Sequence, residues 1–507
     1  MSQPNVRVRF APSPTGPLHI GGVRTALFNY LFARHFGGTM VLRIEDTDSK
    51  RYVPGAEEYI VEALRWLNIQ IDEGVSSPCG DFGPYRQSER KSIYQHYVQQ
   101  LLDTGQAYYA FDTVAELEAA RASNPNFIYD AHTRLQMRNS LTLPQEEVMR
   151  LVDTGAPYAV RFKIQPGEQV EFTDLIRGRV AIDSTLLDDK VIYKQVDGLP
   201  TYHMANVVDD HLMAITHVIR GEEWISSTPL HVLLYRALGW QDSMPQFAHL
   251  ALILKPVGSG KLSKRDGDKF GFPVYPLEWH DPATGQVSPG YREQGYLPET
   301  VVNFLALLGW NPGTDQELFS MEELAKLFSL ERCSKSGARF DFEKAKWFNH
   351  EYLLHCPLPQ LLPLVAPMLE AEGIHVDKEK LAAALEVARS KAQLLPDLLP
   401  ELRYFFIAPQ AYDPASLKKH WKPASAQYLQ AMVRCLQELP DTPTQQDIEQ
   451  ALYEAIKDQE LPMGKVMNSM RVALVGTSRG ARIHEIIALL GINETIVRFQ
   501  KASAALG

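Results

Sequence analysis

Cysteine is scarce in this chain: 507 residues hold four, Cys79, Cys333, Cys356 and Cys435. They stand far apart, with neither the paired spacing of a disulfide framework nor the short intervals of a zinc site, so reduced thiols are expected. No apolar run approaches the roughly eighteen residues of a membrane span, and the opening Met1-Ser-Gln-Pro-Asn-Val-Arg7 has no signal-peptide pattern. A cytoplasmic protein, or one in a similarly reducing compartment, is the expectation. Basic charge is also short: 51 Lys and Arg stand against 61 Asp and Glu, a net charge of -10. That excludes a uniformly basic surface, while leaving room for a local patch. With 45% hydrophobic and 22% charged residues the material is ordinary and globular, and its length suits about three cores.

What is present begins at Arg9-Phe-Ala-Pro-Ser-Pro-Thr-Gly-Pro-Leu-His-Ile-Gly-Gly22. Before it, Val6, Val8 and Phe10 alternate with arginines, the period of a half-buried strand. After it, Val23, Ala26, Leu27, Tyr30, Leu31 and Arg34 recur at helical spacing, and Arg34 can lay its stem along the apolar stripe. The Pro/Gly-rich segment is thus a strand-to-helix turn. A helix N-terminus offers free amide hydrogens and a positive dipole end, where nucleotide phosphates settle. Gly21 and Gly22 have no side chain to hold a nucleotide away, and His19 can donate to a phosphate oxygen. Such turns also occur in proteins that bind nothing.

Far along the chain lies Lys261-Leu-Ser-Lys-Arg265, behind a flexible Gly258-Ser-Gly260 tether. Taken alone, it reads as ordinary surface. Paired with His19-Ile-Gly-Gly22, it resembles the KMSKS loop of the class I aminoacyl-tRNA synthetases, the glycine turn resembling their HIGH signature. Phe10-Ala-Pro-Ser-Pro-Thr-Gly16, Arg43-Ile-Glu-Asp-Thr-Asp48, Tyr202-His203, Val207-Val-Asp-Asp-His211 and Val218-Ile-Arg-Gly-Glu-Glu-Trp224 are similar to the glutamyl-tRNA synthetase family of bacterial and organellar type. Gly464-Lys465 with Arg471-Val-Ala-Leu-Val-Gly476 resembles that family's C-terminal region. The likeness runs nearly end to end.

The resemblance implies an α/β fold: a Rossmann-like parallel-sheet catalytic domain split by an α+β acceptor-binding insert, then an all-helical anticodon-binding region. On this sequence the expected parts are residues 1–105 and 197–250 for the two catalytic halves and 106–196 for the insert. Residues 251–340 are expected to carry the lysine loop and stem contacts, and 341–507 the helices. The residues agree with this division. Strand-like Val6 to Phe10, Thr39 to Ile44 and Ala214 to Ile219 alternate with helical runs. Between Ala107 and Val196 the pattern loosens, with breaks at Pro125, Pro144 and Pro157 and a short alternating run from Tyr158 to Ile164. Apolar residues at three- and four-residue steps mark helices over Leu361 to Gly373, Lys378 to Leu394, Ser425 to Leu439 and Ile483 to Leu490, a pattern that core helices alone also explain. The segment Tyr275 to Tyr296, rich in Pro, Gly, His and Trp, has no role assigned by sequence.

The implied activity is that of a glutamate–tRNA ligase: ATP-dependent activation of L-glutamate to glutamyl-adenylate, then transfer to the 3′ end of tRNA(Glu), with release of AMP and diphosphate. By resemblance His19, Lys261 and Lys264 are catalytic, with Gly21, Gly22, Glu223 and Trp224 also on ATP. Arg9 and Tyr202 face the γ-carboxylate of glutamate, Arg220 its α-carboxylate and Glu45 its ammonium group, while Ala11, Ser13 and Asn206 complete the pocket. A guanidinium fork suits a carboxylate bidentately and cannot accept from an amide nitrogen, so Arg9 favours glutamate over glutamine. Without the resemblance Arg9 reads equally as a strand residue facing solvent, and Trp224 as core. Asp209, Asp210 and His211 are expected to form a hydrogen-bonded turn at a strand end. Some relatives bind zinc through Cys-x-Cys and a later ligand in the insert; Ala110, Asp112 and Thr133 stand at the matching places, so no structural zinc is expected. Magnesium is expected only as the ATP complex, and the chain as a monomer without membrane contact. Arg332, Lys335, Arg339, Lys344 and Lys346, interleaved with Phe340, Phe342 and Trp347, are a local basic patch or a solvated face over an aromatic core edge. A small-molecule nucleotidyltransferase of the same superfamily would leave the insert and helical tail without a task, and a non-catalytic RNA-binding paralogue would have lost His19 or Lys264.

Overall fold

The computed structural model describes residues 5–77, 80–440 and 442–506, so Cys79 lies outside the described residues. The chain forms two compact units. One runs to Glu293 and takes in Pro298–Phe342; the other holds Gln294–Leu297 and the chain from Glu343 onward.

The first unit is built on a seven-stranded sheet. Its strands are β1 (Arg7–Phe10), β2 (Thr39–Leu42) and β3 (Glu73–Gly74), then, after β4 (Ala107–Ala110) and β5 (Ala159–Phe162) of a second sheet, β6 (Gln169–Asp174) and β7 (Gly178–Asp183). Past β8 (Val191–Lys194) and β9 (Leu199–Pro200) it is completed by β10 (His217–Gly221) and β11 (Gln246–Leu250). The order is β3-β2-β1-β10-β11-β6-β7, parallel except for the β6–β7 hairpin. After β1 the chain moves to one side of it and later returns to the other as β10. The connections leaving the carboxyl ends of β1 and β10 therefore diverge and open a crevice, where ligands of such sheets lie. All four residues of β1 are buried, arginines included, so it is a central strand and not the half-exposed one that alternation suggested. The helix Ile20–His35 behind it is likewise buried on most sides, and Arg34 pairs with Asp72 through two bonds of 2.9 Å above the Tyr30 ring.

Residues 106–196 serve two sheets. β4, β5, β8 and β9 form a separate antiparallel sheet, but β6 and β7 extend the central one, with Asp174 beside Phe247 of β11. Burial explains the difference: Val170, Phe172 and Asp174 alternate with exposed neighbours and turn inward onto Met213, Val218 and Phe247. At the place where some relatives bind zinc, Asp112 accepts from the Tyr129 hydroxyl at 2.8 Å and from the Arg138 amide at 2.7 Å. Those bonds tie the Asp112 and Tyr129 segments together.

Asp209 and Asp210 do not form a strand-end turn. They lie in the last turns of the helix Tyr202–Leu212 and are buried. The unassigned segment from Tyr275 is a buttress: Val274 O accepts from Ile20 N at 3.0 Å, the Tyr59 hydroxyl bonds the backbone of Leu277, and Trp279–His280 pairs with Val287–Ser288. Burial pushes the Cys333 thiol up to about 12, which keeps it protonated and inert at neutral pH.

The second unit is helical. Leu358–Ala371, Lys378–Ala388, Ser425–Gln437, Met463–Val475 and Ile483–Leu490 contribute to one core with Leu361, Leu381, Met432, Met470 and Ile487. The expected helix from Lys378 to Leu394 stops at Ala388, where a tight turn over Arg389–Lys391 follows. Gly476, at φ 86°, ends the helix Met463–Val475 in the left-handed conformation that glycine adopts without strain.

Candidate active site

The crevice beyond β1 and β10 holds a cavity of about 380 Å³. Arg9, Ala11, Ser13, His19, Gly21 and Gly22 reach it from β1 and the turn, Glu45 from beyond β2, and Tyr202 and Asn206 from the helix that follows β9. Arg220, Glu223, Trp224 and Lys261 complete the predicted set that lines it. Lys264 is the exception and does not line the cavity.

The floor is a buried lattice of paired charges. Arg9 Nε donates to both oxygens of Asp210 at 3.1 and 3.3 Å, and Arg43 joins Asp210 at 2.8 Å and Glu45 at 3.1 Å. Asp209 in turn accepts from Arg90 Nε and from the Tyr94 hydroxyl, both at 2.8 Å. Arg9, Arg43 and Arg90 face Glu45, Asp209 and Asp210, so the lattice is balanced. Burial pushes the Glu45 carboxyl up, with Arg43 and Arg9 opposing; at Asp210 the two arginines overcome burial and hold the carboxyl low. Turned to satisfy its neighbours, the Asn206 amide accepts from Arg43 Nη2 at 3.2 Å and donates to Asp210 at 3.3 Å. The Arg9 terminal nitrogens take no part in these bonds and have no carboxylate or carbonyl partner among the described residues.

Arg220 differs from the other buried arginines. The residue is only 4% exposed, yet its guanidinium donates solely to neutral acceptors: Tyr202 Oη and Thr228 Oγ1 at 2.9 Å, His249 Nε2 at 3.1 Å and Trp224 O at 3.4 Å. Among the described residues no carboxylate lies within 4.0 Å of it. A buried cation without a counterion is costly unless an anion joins it. Tyr202, expected beside Arg9, is thus bonded to Arg220. Its ring lies against Trp224, centroids 4.3 Å apart, and Trp224 is 40% exposed at the cavity wall and is not core.

His19 sits at the N-cap of Ile20–His35, its Nδ1 accepting from Gly21 N at 3.1 Å. The ring proton therefore resides on Nε2, which is buried and has no partner among the described residues. Burial, aided by the charge of Lys261, lowers the His19 pKa to about 4, so at neutral pH the ring is an uncharged donor. A Cβ on Gly22 would come 2.6 Å from Leu18 Cδ1, so a larger residue there would have to push the Leu18 side chain aside.

Both loop lysines are bonded elsewhere. Lys261 Nζ contacts Glu223 at 2.8 Å, and Lys264 Nζ contacts Gln286 at 3.1 Å, which draws it toward the hairpin of the unassigned segment. Lys264 opens the helix Lys264–Phe270, at whose start the Ser263 amide and hydroxyl both donate to Asp266 Oδ2, at 3.0 and 2.5 Å. Gly258 and Gly260, at φ 84° and 102°, make the tether, and Arg339 Nη1 braces its near end through the carbonyls of Lys255, Pro256 and Gly258. Arg339, read from sequence as part of a basic patch, thus supports the loop, while Arg332 bonds Pro312 O. Sequence reading also missed Asp174, Thr228, His249 and Gln286. It quoted Arg43 and Asp210 inside matching blocks without a role; a buried arginine alternating with Glu45 was the available signal.

Residues 5–347 match the family described as tRNA synthetases class I (E and Q), catalytic domain, and residues 360–503 match an anticodon binding domain. The chain is 58% identical to a glutamate–tRNA ligase of Phocaeicola vulgatus, with all of both chains covered, and 59% identical to one of Porphyromonas gingivalis, covering 99% of each. Among solved structures, the glutamate tRNA ligase of Elizabethkingia meningosepticum in complex with its amino acid superposes with a TM-score of 0.94 at 48% identity, covering 99% of this chain and 100% of that one. With the catalytic model matched over residues 5–347 and relatives 58–59% identical over 99–100% of the chain, the chain belongs to the class I tRNA synthetases and, among them, to the glutamate–tRNA ligase family.

Proposed function

We propose that the cavity binds L-glutamate beside ATP and joins them before transfer to tRNA(Glu). The observation that carries this reading is Arg220, a buried cation with neutral partners only, facing the same cavity as the acid Glu45 and the open terminal nitrogens of Arg9. One acid and two guanidinium groups match an amino acid with one ammonium and two carboxylates. Arg220 takes the α-carboxylate, Glu45 the ammonium group and Arg9 the γ-carboxylate, with Tyr202 between the two arginines and Ala11, Ser13 and Asn206 closing the pocket.

An α-carboxylate oxygen attacks the α-phosphorus of ATP and diphosphate departs. A ribose hydroxyl of the terminal tRNA adenosine then attacks the glutamyl carbonyl, and AMP leaves. Phosphoryl transfer asks little covalent work of the protein, so positioning and charge stabilisation dominate. His19 donates to the triphosphate over Gly21 and Gly22, Trp224 and Glu223 border the adenine and ribose, and Lys261 and Lys264 leave their present partners to meet the departing charge. Magnesium travels on ATP. Residues 106–168 and 184–196 grip the acceptor end, and the helical unit reads the anticodon. The proposal includes a cytoplasmic monomer; light scattering tests the oligomeric state.

Labelled-glutamate attachment to tRNA, with and without ATP, tests the activity. Arg9→Ala is expected to lower kcat/KM for glutamate by at least about 2 kcal/mol, the scale of a desolvated charge-assisted bond. An unchanged preference for glutamate over glutamine would remove Arg9 from the pocket.

A further inference from the structure

Three adjacent strands place Asp174, His249 and Arg220 in a row. Arg220 of β10 stands in register with His249 of β11, and Asp174 ends β6 beside it. All three are buried, at 1%, 0% and 4% exposure in that order. His249 Nδ1 lies 2.6 Å from Asp174 Oδ2, and His249 Nε2 lies 3.1 Å from Arg220 Nε. A guanidinium nitrogen only donates, so Nε2 must be the acceptor and the ring proton must sit on Nδ1, aimed at Asp174. Asp174 is itself fixed: its Oδ1 accepts from the amides of Ile176 and Arg177 at 2.9 and 2.8 Å.

Resting on the reading that Arg220 receives the α-carboxylate, we propose that His249, held by Asp174, is a positioning residue for amino-acid binding. Its neutral ring fixes the Nε edge of Arg220 and leaves the guanidinium charge undiminished for the ligand. A carboxylate at the same place would hold Arg220 as firmly but neutralise it, as Asp210 partly does for Arg9. Protonating His249 would remove the acceptor and set a second cation against Arg220. The groups facing the ring are Asp174, Arg220, the Thr228 hydroxyl at 3.3 Å and the Phe247 ring, with the charge of Arg177 also acting on it. Burial first, and then the two arginines, hold its pKa below the ordinary 6.5 against the pull of Asp174. With the ring neutral the row is in its working state; protonation of the ring, which burial defers to more acid pH than usual, removes the support from Arg220.

The test uses the full-length protein. His249→Asn retains an amide donor near Asp174 but nothing that reaches Arg220; His249→Gln carries its amide oxygen toward the Nε2 position. The expected result for His249→Asn is a glutamate KM raised at least about tenfold, with KM for ATP and tRNA within about twofold, and His249→Gln regaining most of the loss. Followed from pH 8 down to the acid limit of the folded enzyme, the wild-type glutamate KM should rise toward acid more steeply than that of His249→Gln, a comparison that decides the matter even if His249→Asn does not fold. A glutamate KM unchanged in His249→Asn, all three KM values moving together, or superimposable pH profiles would each overturn the positioning role. Arg220→Gln separates the layers: if it leaves glutamate KM unchanged, the assignment of Arg220 itself fails. If it raises that KM while His249→Asn does not, only the role of His249 fails.

Discussion

Two sides of one cavity hold their charges in opposite ways. On the floor, Arg9, Arg43, Glu45 and Asp210 are at most 8% exposed and lie in a balanced lattice in which Arg43 and Asp210 each bond at least two of the others. On the other side, Lys261 of the loop and its partner Glu223 are 56% and 42% exposed, and Lys264 reaches a neutral glutamine outside the cavity. The floor cannot rearrange without stranding a buried charge, which suits a site that must recognise one amino acid in one orientation. The loop gives up only weak, solvent-screened contacts when it moves, which suits groups that act as charge develops in the transition state. On the proposed reading, binding and chemistry are thus separated by burial.

The largest expected effect is on the floor. Asp210→Asn leaves Arg9 and Arg43 short of a counterion and should destabilise the catalytic unit by about 3–5 kcal/mol, read from denaturant unfolding. A loss below about 1 kcal/mol would show that solvent reaches the lattice and would dissolve the contrast with the loop.

At the rim, His19 gives the next effect. Its pKa is about 4 when folded and 6.5 when unfolded, so between those values the unfolded chain binds more protons. Its contribution is intact above pH 6.5 and lost as pH falls toward 4, at most about 3 kcal/mol and reduced by the solvent that reaches the ring. His203 is depressed in the same way, so the measurement is the difference in pH-dependent stability between wild type and His19→Gln. Parallel curves would mean that His19 is not desolvated.

The smallest effect belongs to the exposed pair. Glu223→Gln should change unfolding stability by no more than about 1 kcal/mol, and raised salt should erase the difference. A loss as large as that of Asp210→Asn would make the loop as fixed as the floor.

The cavity residues on both sides were named from the sequence, but their contrast in burial was not, and the reasons for the gaps are physical. Turn chemistry around Pro12, Pro14 and Gly21 gave the strand–turn–helix because those signals are local. The cavity-lining residues came from motif identity, which marks what a site contains without saying what holds it. Asp210 was misplaced because two acids beside a histidine look like a turn until the helix buries them. The β6–β7 hairpin was assigned to the insert because alternation reports one buried face without naming the strand beside it. Arg339 and Gln286 act through backbone and side chains distant in sequence, and no spacing rule brings them together. The place of Lys264 outside the cavity is a property of one conformation, which a motif does not specify.

The central claim is that buried charge selects the amino acid while the exposed loop carries the chemistry. Steady-state tRNA glutamylation by Lys264→Ala, beside Arg9→Ala, tests it most directly. The account expects Lys264→Ala to lose about a hundredfold or more in kcat with glutamate KM within about twofold of wild type, and Arg9→Ala to raise glutamate KM. A Lys264→Ala enzyme with kcat within about threefold of wild type, or one whose whole loss falls on glutamate KM, would contradict it.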